Sequence, residues 1–199
     1  MIQSIQPTLL LGLPSRVHLE RIEIAEQALV LSLSLDMPEA ACPLCQQAAS
    51  RVHSHYVRTL QDLPCVGKML RLLVQVRRFF CENPECIRKI FAERLPDLTS
   101  VYARRTIRAT SALSEIGFAL GGKAGSAMSA FLGLPSNRMT ILRILRSVPA
   151  PVVQTPQMLG VDEWAYRRGH RYGTILVNLE TGSPSICFPI IRRRLLKPG

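Results

Sequence analysis

Two features of exported and membrane-bound proteins are missing from this sequence. The first charged residue is Arg16, so the opening residues lack the basic segment with which signal peptides begin. No uninterrupted apolar run approaches the roughly 18 residues that a membrane-spanning helix needs. With no export signal, the six cysteines fit a reducing compartment better than an oxidising one. We expect a cytoplasmic protein without a membrane partner.

Acidic residues are also scarce. The 199-residue chain has 25 Lys and Arg against 14 Asp and Glu, a formal net charge of +11. Between residues 101 and 150, Glu115 is the only acid against seven basic residues. This surplus favours a polyanionic partner, most simply nucleic acid; the alternative is a basic protein without one. RNA is the weaker choice of nucleic acid, because the sequence shows no aromatic platform on which single-stranded bases could stack.

What the chain does have is two short cysteine hooks, Cys42-Pro43-Leu44-Cys45 and Cys81-Glu82-Asn83-Pro84-Glu85-Cys86. Each hook can supply two thiolates from one turn, at a spacing typical of zinc ligands. We therefore predict a structural zinc held by Cys42, Cys45, Cys81 and Cys86. Two disulfides, or a few buried thiols, are the alternative.

Three other residues near the hooks could bind metal. His53 and His55 lie between the hooks and could replace a cysteine, since imidazole also binds zinc. Four suitably spaced thiols make that the lesser possibility. Cys65 has no second hook to pair with, and we expect it to be a small apolar core residue.

Alternating apolar residues predict strands on both sides of the first hook. Residues 17–35 alternate with a period of two, which predicts a β-hairpin leading into Cys42. Residues 70–80 alternate in the same way and run directly into Cys81. Strands that lead into two cysteine hooks predict a zinc ribbon.

Residues 101–148 instead show helical spacing. A first helix should end at Gly121-Gly122, a second short helix at Gly133-Leu134-Pro135, and a third should begin with Ser136 as its N-cap. The residues expected to face inward are Ile107, Leu113, Ile116 and Leu120, then Ala124, Ala127, Met128 and Phe131, then Ile141, Leu142, Leu145 and Val148. A short helix, a Gly-containing turn and a capped helix together outline a helix-turn-helix.

The polar residues of this segment suit DNA. Those predicted to face outward on the third helix, where Arg and Asn can read base edges, are Asn137, Arg138, Thr140, Arg143 and Arg146. Arg104, Arg105 and Arg108 are predicted to contact phosphate instead. The alternative is a small helical bundle with solvated arginines.

A proline-rich linker separates this segment from a strand that contains an aspartate. Three prolines between Val148 and Pro156 cannot continue a helix. Two apolar runs follow and predict an antiparallel hairpin, with Asp162 inside the first. A buried carboxylate costs several kcal/mol unless it is paired or bound to metal. A salt bridge from Asp162 to Arg167 or Arg171 is one explanation, and a metal is the other.

Four stretches, which are 58–64, 76–81, 91–96 and 160–182, together resemble the ISL-three family of bacterial insertion-sequence transposases. The resemblance covers residues 40–182. It implies a zinc-binding N-terminal domain, double-stranded DNA with terminal inverted repeats as partner, and DNA transposition on the bacterial nucleoid. It also implies an RNase H-like catalytic domain in which Asp162 is the first of three acids that hold two magnesium ions. A homo-oligomer or a full-length transposase would be a further partner.

The resemblance ends after Gly182. From the linker onward the only acids are Asp162, Glu163 and Glu180. Glu163 neighbours Asp162 and so points to the opposite face of a regular strand, and Glu180 lies on the next strand, so no acidic triad can be assembled. We therefore expect a truncated or frameshifted transposase that binds insertion-sequence ends without cutting them, and that needs a complete catalytic domain before magnesium matters. A stand-alone zinc-ribbon and helix-turn-helix transcriptional regulator is the alternative.

The predicted fold class is α+β. Its parts are strands and a zinc ribbon in residues 1–98, a helix-turn-helix domain in 99–148, a linker in 149–157, the first hairpin of the RNase H-like domain in 158–182, and a divergent tail in 183–199.

Overall fold

The computed structural model describes residues 11–149, 156–167, 171–182 and 184–188. It contains two compact units, one ending at Val148 and one beginning at Pro149. The division falls at the start of the predicted linker, most of which lies outside the described residues, as do the first ten residues and most of the predicted tail. The mixture of strands and helices confirms the predicted α+β class.

A five-stranded sheet is the largest element of the first unit, and its strands are β1 (Val17–Ile24), β2 (Ala28–Leu35), β5 (Val52–Cys65), β6 (Lys68–Phe80) and β7 (Ile90–Ala92). The strands lie in the order β1-β2-β6-β5, with β7 also paired to β6. Strands β2 and β6 are parallel, and the other pairs are antiparallel. Two short strands, β3 (Ala40–Ala41) and β4 (Ala48–Ala49), pair separately.

The period-two pattern places one face of this sheet in the core. Leu31, Leu60, Leu72 and Val74 are fully buried, while neighbouring residues on these strands reach solvent. The hairpin predicted for residues 17–35 is present as β1 and β2. Strand β6 ends at Phe80 and leads directly into Cys81, as predicted.

Two helices follow, α1 (Ile107–Phe131) and α2 (Arg138–Ser147). The helix stop predicted at Gly121-Gly122 is present as a kink that divides α1 into two helical segments, since Gly121 has the non-helical angles φ 71° and ψ −172°. Ser136 is not the N-cap of α2. The cap is Asn137, whose side chain accepts a hydrogen bond of 2.8 Å from the Met139 amide. Ser136 is buried, and its carbonyl accepts a 2.7 Å hydrogen bond from the Ser126 hydroxyl.

The inward face predicted for the second half of α1 is wrong. Ala124, Ala127, Met128 and Phe131 are all exposed, and Phe131 is 86% exposed. Gly125 and Ser129 are buried there instead, as is Gly117 in the first half of the helix. The apolar pattern misled because this helix packs through small residues: a Cβ on Gly117 would lie 2.7 Å from Ile141 Cγ2.

The remaining inward predictions hold in part. Leu113 and Ile141 are fully buried, whereas Ile107, Leu120 and Val148 are exposed. Ile107 lies in the first turn of α1, and Val148 is the C-cap of α2, so both stand at helix ends where packing is incomplete.

The second unit contains a three-stranded antiparallel sheet of β8 (Leu159–Arg167), β9 (Arg171–Asn178) and β10 (Pro184–Phe188). The strands lie in the order β10-β9-β8. The predicted hairpin is β8 and β9. Five residues of the predicted tail, with Cys187 among them, form β10 against β9. Three strands do not by themselves establish an RNase H-like fold. Neither helix in the described part of the chain is long and apolar enough to cross a membrane.

Candidate metal centre and nucleic-acid interface

The four predicted cysteines converge on one point. Their Sγ atoms all lie within 4.8 Å of one another, and Cys45 Sγ lies 3.6 Å from Cys81 Sγ. Tetrahedral zinc with Zn–S bonds of about 2.3 Å separates its thiolates by roughly 3.8 Å. The spacing of the four sulfurs therefore fits zinc.

Backbone hydrogen bonds shape each cysteine hook. The first hook joins β3 to β4, and the amide of Cys42 donates to the Gln47 carbonyl at 2.9 Å. The second hook joins β6 to β7, and the amide of Cys81 donates to the Lys89 carbonyl at 2.8 Å. Each pair of thiols is thus fixed by the strands that flank it.

A small apolar core encloses the sulfurs. Cys42 and Cys86 are buried with Ala49, Phe79 and Phe91, and the two phenylalanine rings are stacked with centroids 6.0 Å apart. Because buried thiolates need a cation nearby, this apolar enclosure favours a metal over four ionised thiols alone.

The thiols differ in how readily they ionise. Burial acts to raise the pKa of Cys42, but hydrogen bonds from the Cys45 and Leu44 amides and from the Cys45 and Cys81 thiols lower that pKa to about 7. Burial raises the pKa of Cys81 to about 12, and the neighbouring cysteine thiols add to this increase. The first of the four thiols ionises easily, because its neighbours donate hydrogen bonds to the thiolate. Ionisation of the last thiol is disfavoured by burial and by the adjacent thiols, and a zinc ion would neutralise the resulting negative charge.

The alternative ligands and the disulfide alternative find no support here. His53 and His55 lie outside the cysteine cluster, and the His53 ring packs edge-on against Phe80 at 4.8 Å. The 3.6 Å between Cys45 and Cys81 sulfurs is far beyond a disulfide bond of about 2.05 Å. Cys65 is half-buried against the main core, as predicted.

Asp62 is an important residue that the sequence reasoning missed. Its fully buried carboxylate accepts hydrogen bonds from the Thr106 hydroxyl at 2.6 Å, from Arg108 Nε at 2.8 Å and from the Leu63 amide at 2.8 Å. Thr106 is also the N-cap of α1, so Asp62 attaches the start of α1 to β5. The sequence signal for this role was an acidic residue at an inward-facing position of a strand with alternating apolar residues.

This network changes the roles open to two predicted phosphate contacts. The guanidinium of Arg108 is paired with Asp62, whose hydrogen bonds also raise the pKa of Arg108. Arg105 is half-buried and donates to the Gln61 side chain at 3.2 Å, and its burial lowers its pKa. Both side chains thus hold the fold together, whereas Arg104 is exposed.

The predicted base-reading residues mostly reach solvent. Arg138, Arg143 and Arg146 are exposed on α2. Thr140 is half-buried, and Asn137 is exposed but uses its side-chain oxygen to cap the helix. The three arginines are therefore the side chains of α2 best placed to meet a polyanion.

The predicted burial of Asp162 is wrong. Its side chain is exposed, and Oδ1 accepts a 2.8 Å hydrogen bond from the Glu163 amide. The side chains of Arg167 and Arg171, its proposed salt-bridge partners, lie outside the described residues. Among the residues described, no group of three acidic or histidine side chains gathers around Asp162. The two-magnesium site therefore does not fit the residues present.

Two cysteine hooks brought together by strands define this chain as a zinc-ribbon-like protein. Residues 38–86, which contain both hooks, match the family model described as the zinc-finger of transposase IS204/IS1001/IS1096/IS1165. The chain is also 34% identical over 166 residues to the transposase for insertion sequence element IS1001 of Bordetella parapertussis. The chain is therefore related to the ISL-three-family transposases, which confirms the predicted resemblance.

The aligned region makes up different shares of the two proteins. It includes 80% of this chain but only 39% of the Bordetella transposase, so the chain spans well under half the length of that relative. No solved structure matches the chain.

Proposed function

We propose that this chain is the DNA-binding part of an insertion-sequence transposase and recognises the ends of the element. The observation that carries the proposal is the exposed arginine surface of α2, formed by Arg143 and Arg146, with Arg138 exposed at the start of the helix. This surface lies in a chain that is 34% identical over 166 residues to the transposase for insertion sequence element IS1001.

Spacing along α2 supports a groove-binding role. Arg143 and Arg146 are three residues apart, so they lie on the same side of the helix. Ile141, on the other side, is fully buried against α1. The helix therefore has one face fixed in the protein and one basic face directed to solvent, as a recognition helix requires.

Zinc has a structural part in this proposal. Four protein thiolates fill a tetrahedral coordination sphere and leave no open position for substrate. When bound, zinc would hold the two hooks together and supply no chemistry to the reaction. The related ISL-three family favours a transposase fragment over the alternative of a transcriptional regulator.

The DNA contact of α2 is tested with Arg143→Ala and a matched control, Arg21→Ala. Both variants remove one positive charge, but Arg21 lies on β1 and is paired with Glu23 at 3.1 Å. We expect Arg143→Ala to weaken binding to an inverted-repeat duplex by about three- to tenfold and to reduce the slope of log K against log salt by about 0.9. Fluorescence anisotropy over a salt series measures both quantities.

The control should bind like the unaltered protein. Equal losses in the two variants would show that only net charge matters and would contradict the proposal for α2. Preference for the inverted repeat over a scrambled duplex tests end recognition. When magnesium is added to the same reactions, a denaturing gel is expected to show no nicked DNA. Cleavage that depends on Asp162 would contradict the expectation that this chain binds the ends without cutting them.

A further inference from the structure

A tyrosine with a strained backbone, Tyr102, is exposed away from both α2 and the cysteine cluster. Residues Ser100 to Ala103 form a tight turn in which the Ala103 amide donates to the Ser100 carbonyl at 3.2 Å. Tyr102, the third residue of the turn, has φ +60°. Glycine is favoured at this position because side chains clash in the left-handed region, and a bulky residue there is uncommon.

The strain serves no packing purpose. The side chain of Tyr102 is 91% exposed, so the core gains nothing from it. Instead, Arg58 fixes the backbone of the turn. Its guanidinium donates hydrogen bonds to the carbonyls of Ser100, at 3.1 Å, and Ala103. Backbone strain of this kind is concentrated at binding sites, where the surrounding structure holds a residue in the orientation a ligand needs.

Two basic clefts meet at Tyr102. Both are also lined by Tyr56 and Arg58, and their volumes are about 630 and 660 Å³. Arginines further line each cleft: Arg88 and Arg94 the first, Arg71 and Arg104 the second.

Acidic charge is nearly absent from these clefts. Within the described residues, the second cleft has no acidic side chain. The single acid of the first, Glu93, is buried and paired with Arg77 at 2.8 Å. Arg58 donates to neutral carbonyls, so its charge is not cancelled by a carboxylate. The surface around the exposed ring is therefore positive on both sides.

We propose that Tyr102 stacks on an unpaired base of DNA while the cleft arginines hold the flanking phosphates. An exposed aromatic ring beside a positive groove is the arrangement by which proteins bind single strands without reading their sequence. This inference rests on the proposed DNA-binding function and adds a second contact, made to a frayed or single-stranded end next to the duplex. It also revises the sequence-based conclusion that no aromatic stacking platform exists.

The test compares two fluorescent probes, a blunt 20-base-pair duplex and the same duplex with a 3′ overhang of four dT nucleotides. We expect the zinc-loaded protein to bind the overhang probe about tenfold more tightly than the blunt one. Tyr102→Gly, which suits the turn, should lose this advantage and keep its affinity for the blunt probe within about twofold. Tyr102→Phe should retain the advantage, and so should Val66→Ala, which shortens an exposed side chain that lines neither cleft.

A thermal melt checks that the glycine variant is folded. Because glycine relieves the left-handed strain, Tyr102→Gly should unfold at the same temperature as the unaltered protein or a higher one. A loss of overhang binding together with retained stability is a signature that a merely structural tyrosine would not give.

Every outcome of this comparison either supports or contradicts the stacking role of Tyr102. An overhang advantage that survives in Tyr102→Gly would overturn the stacking role, and so would an equal loss on both probes. Binding of the overhang probe through Tyr102, without binding of blunt duplex, would leave the stacking role intact and contradict the recognition role of α2. Failure to bind either probe would overturn both.

Discussion

At the scale of single residues, one buried carboxylate organises the meeting of sheet and helix. Asp62 has no exposed surface, and it pairs with Arg108 while bonding to the N-cap residue Thr106. A buried charge is stable only when it is paired and fully hydrogen-bonded, and Asp62 meets both conditions. The surface pair Arg16–Asp97, at 2.7 Å, has the same chemistry but remains in contact with water.

The variant Asp62→Asn tests this difference. It should lower the free energy of unfolding by about 3 kcal/mol, since it removes the counter-charge of a partly buried arginine and weakens the cap of α1. The control, Asp97→Asn, breaks a pair whose side chains are 40% and 53% exposed and should cost no more than about 1 kcal/mol. Chemical denaturation measures both values, and similar losses would contradict a special role for Asp62.

At the scale of elements, the contact between α1 and α2 depends on glycine. A Cβ added at Gly117 would lie 2.7 Å from Ile141 Cγ2 and 3.1 Å from Leu145 Cδ2. At Gly125 the nearest atom to an added Cβ would be 3.4 Å away, an ordinary contact. The close approach at Gly117 therefore fixes the position of α2 against α1, and with it the direction in which the arginines of α2 point.

Alanine substitutions separate packing from helix propensity. Gly117→Ala should destabilise the protein by about 1–3 kcal/mol, because Ile141 and Leu145 must move to admit the new methyl group. Gly125→Ala should be neutral or stabilising by up to about 1 kcal/mol, because alanine is the better helix former and its methyl group fits. Thermal unfolding compares the two variants. A Gly117→Ala protein as stable as Gly125→Ala would contradict the close packing.

At the scale of the whole molecule, the cysteine cluster joins chain segments that lie far apart in sequence. Cys45 and Cys81 are 36 residues apart, and the chain between them forms β4, β5 and β6. Metal binding closes this long loop, so the free energy of binding zinc becomes free energy of folding. We therefore expect chelation of zinc to lower the unfolding temperature of the protein.

Zinc uptake should also depend on pH in a defined direction. The lowered pKa of Cys42, about 7, means that its thiolate persists well below the usual range of thiols, but is lost as the pH falls through 7. Protons then compete for every ligand, and the apparent zinc affinity should fall by at least about tenfold for each further pH unit. A chromogenic chelator measures this affinity.

Two serine variants control the zinc measurement. Cys45→Ser removes one of the four clustered thiols and should bind zinc much more weakly. Cys65→Ser leaves the cluster intact and should still take up one zinc per chain. A zinc affinity independent of pH, or equal in the two variants, would rule out the four-thiolate site.

Local chemistry is what the sequence by itself determined. Residue spacing sufficed for the cysteine hooks and the alternating strands, because a turn sets the distance between Cys42 and Cys45, and a strand repeats every two residues. The relationship to transposases was also visible in contiguous motifs, and the family comparison confirmed it.

Only the tertiary structure decided which faces are covered. Helical spacing placed Phe131 inward, yet it is exposed, because packing through Gly117 and Gly125 turned the apolar side of α1 outward. The roles of Asp62 and Tyr102 also needed the assembled chain. The alternating pattern of β5 places the Asp62 carboxylate inward, but its partners lie 44 and 46 residues away, and Tyr102 depends on an arginine from a distant strand. The partners of Asp62 and the exposure of Phe131 are properties of the assembled chain, so no pattern within a single segment could predict them.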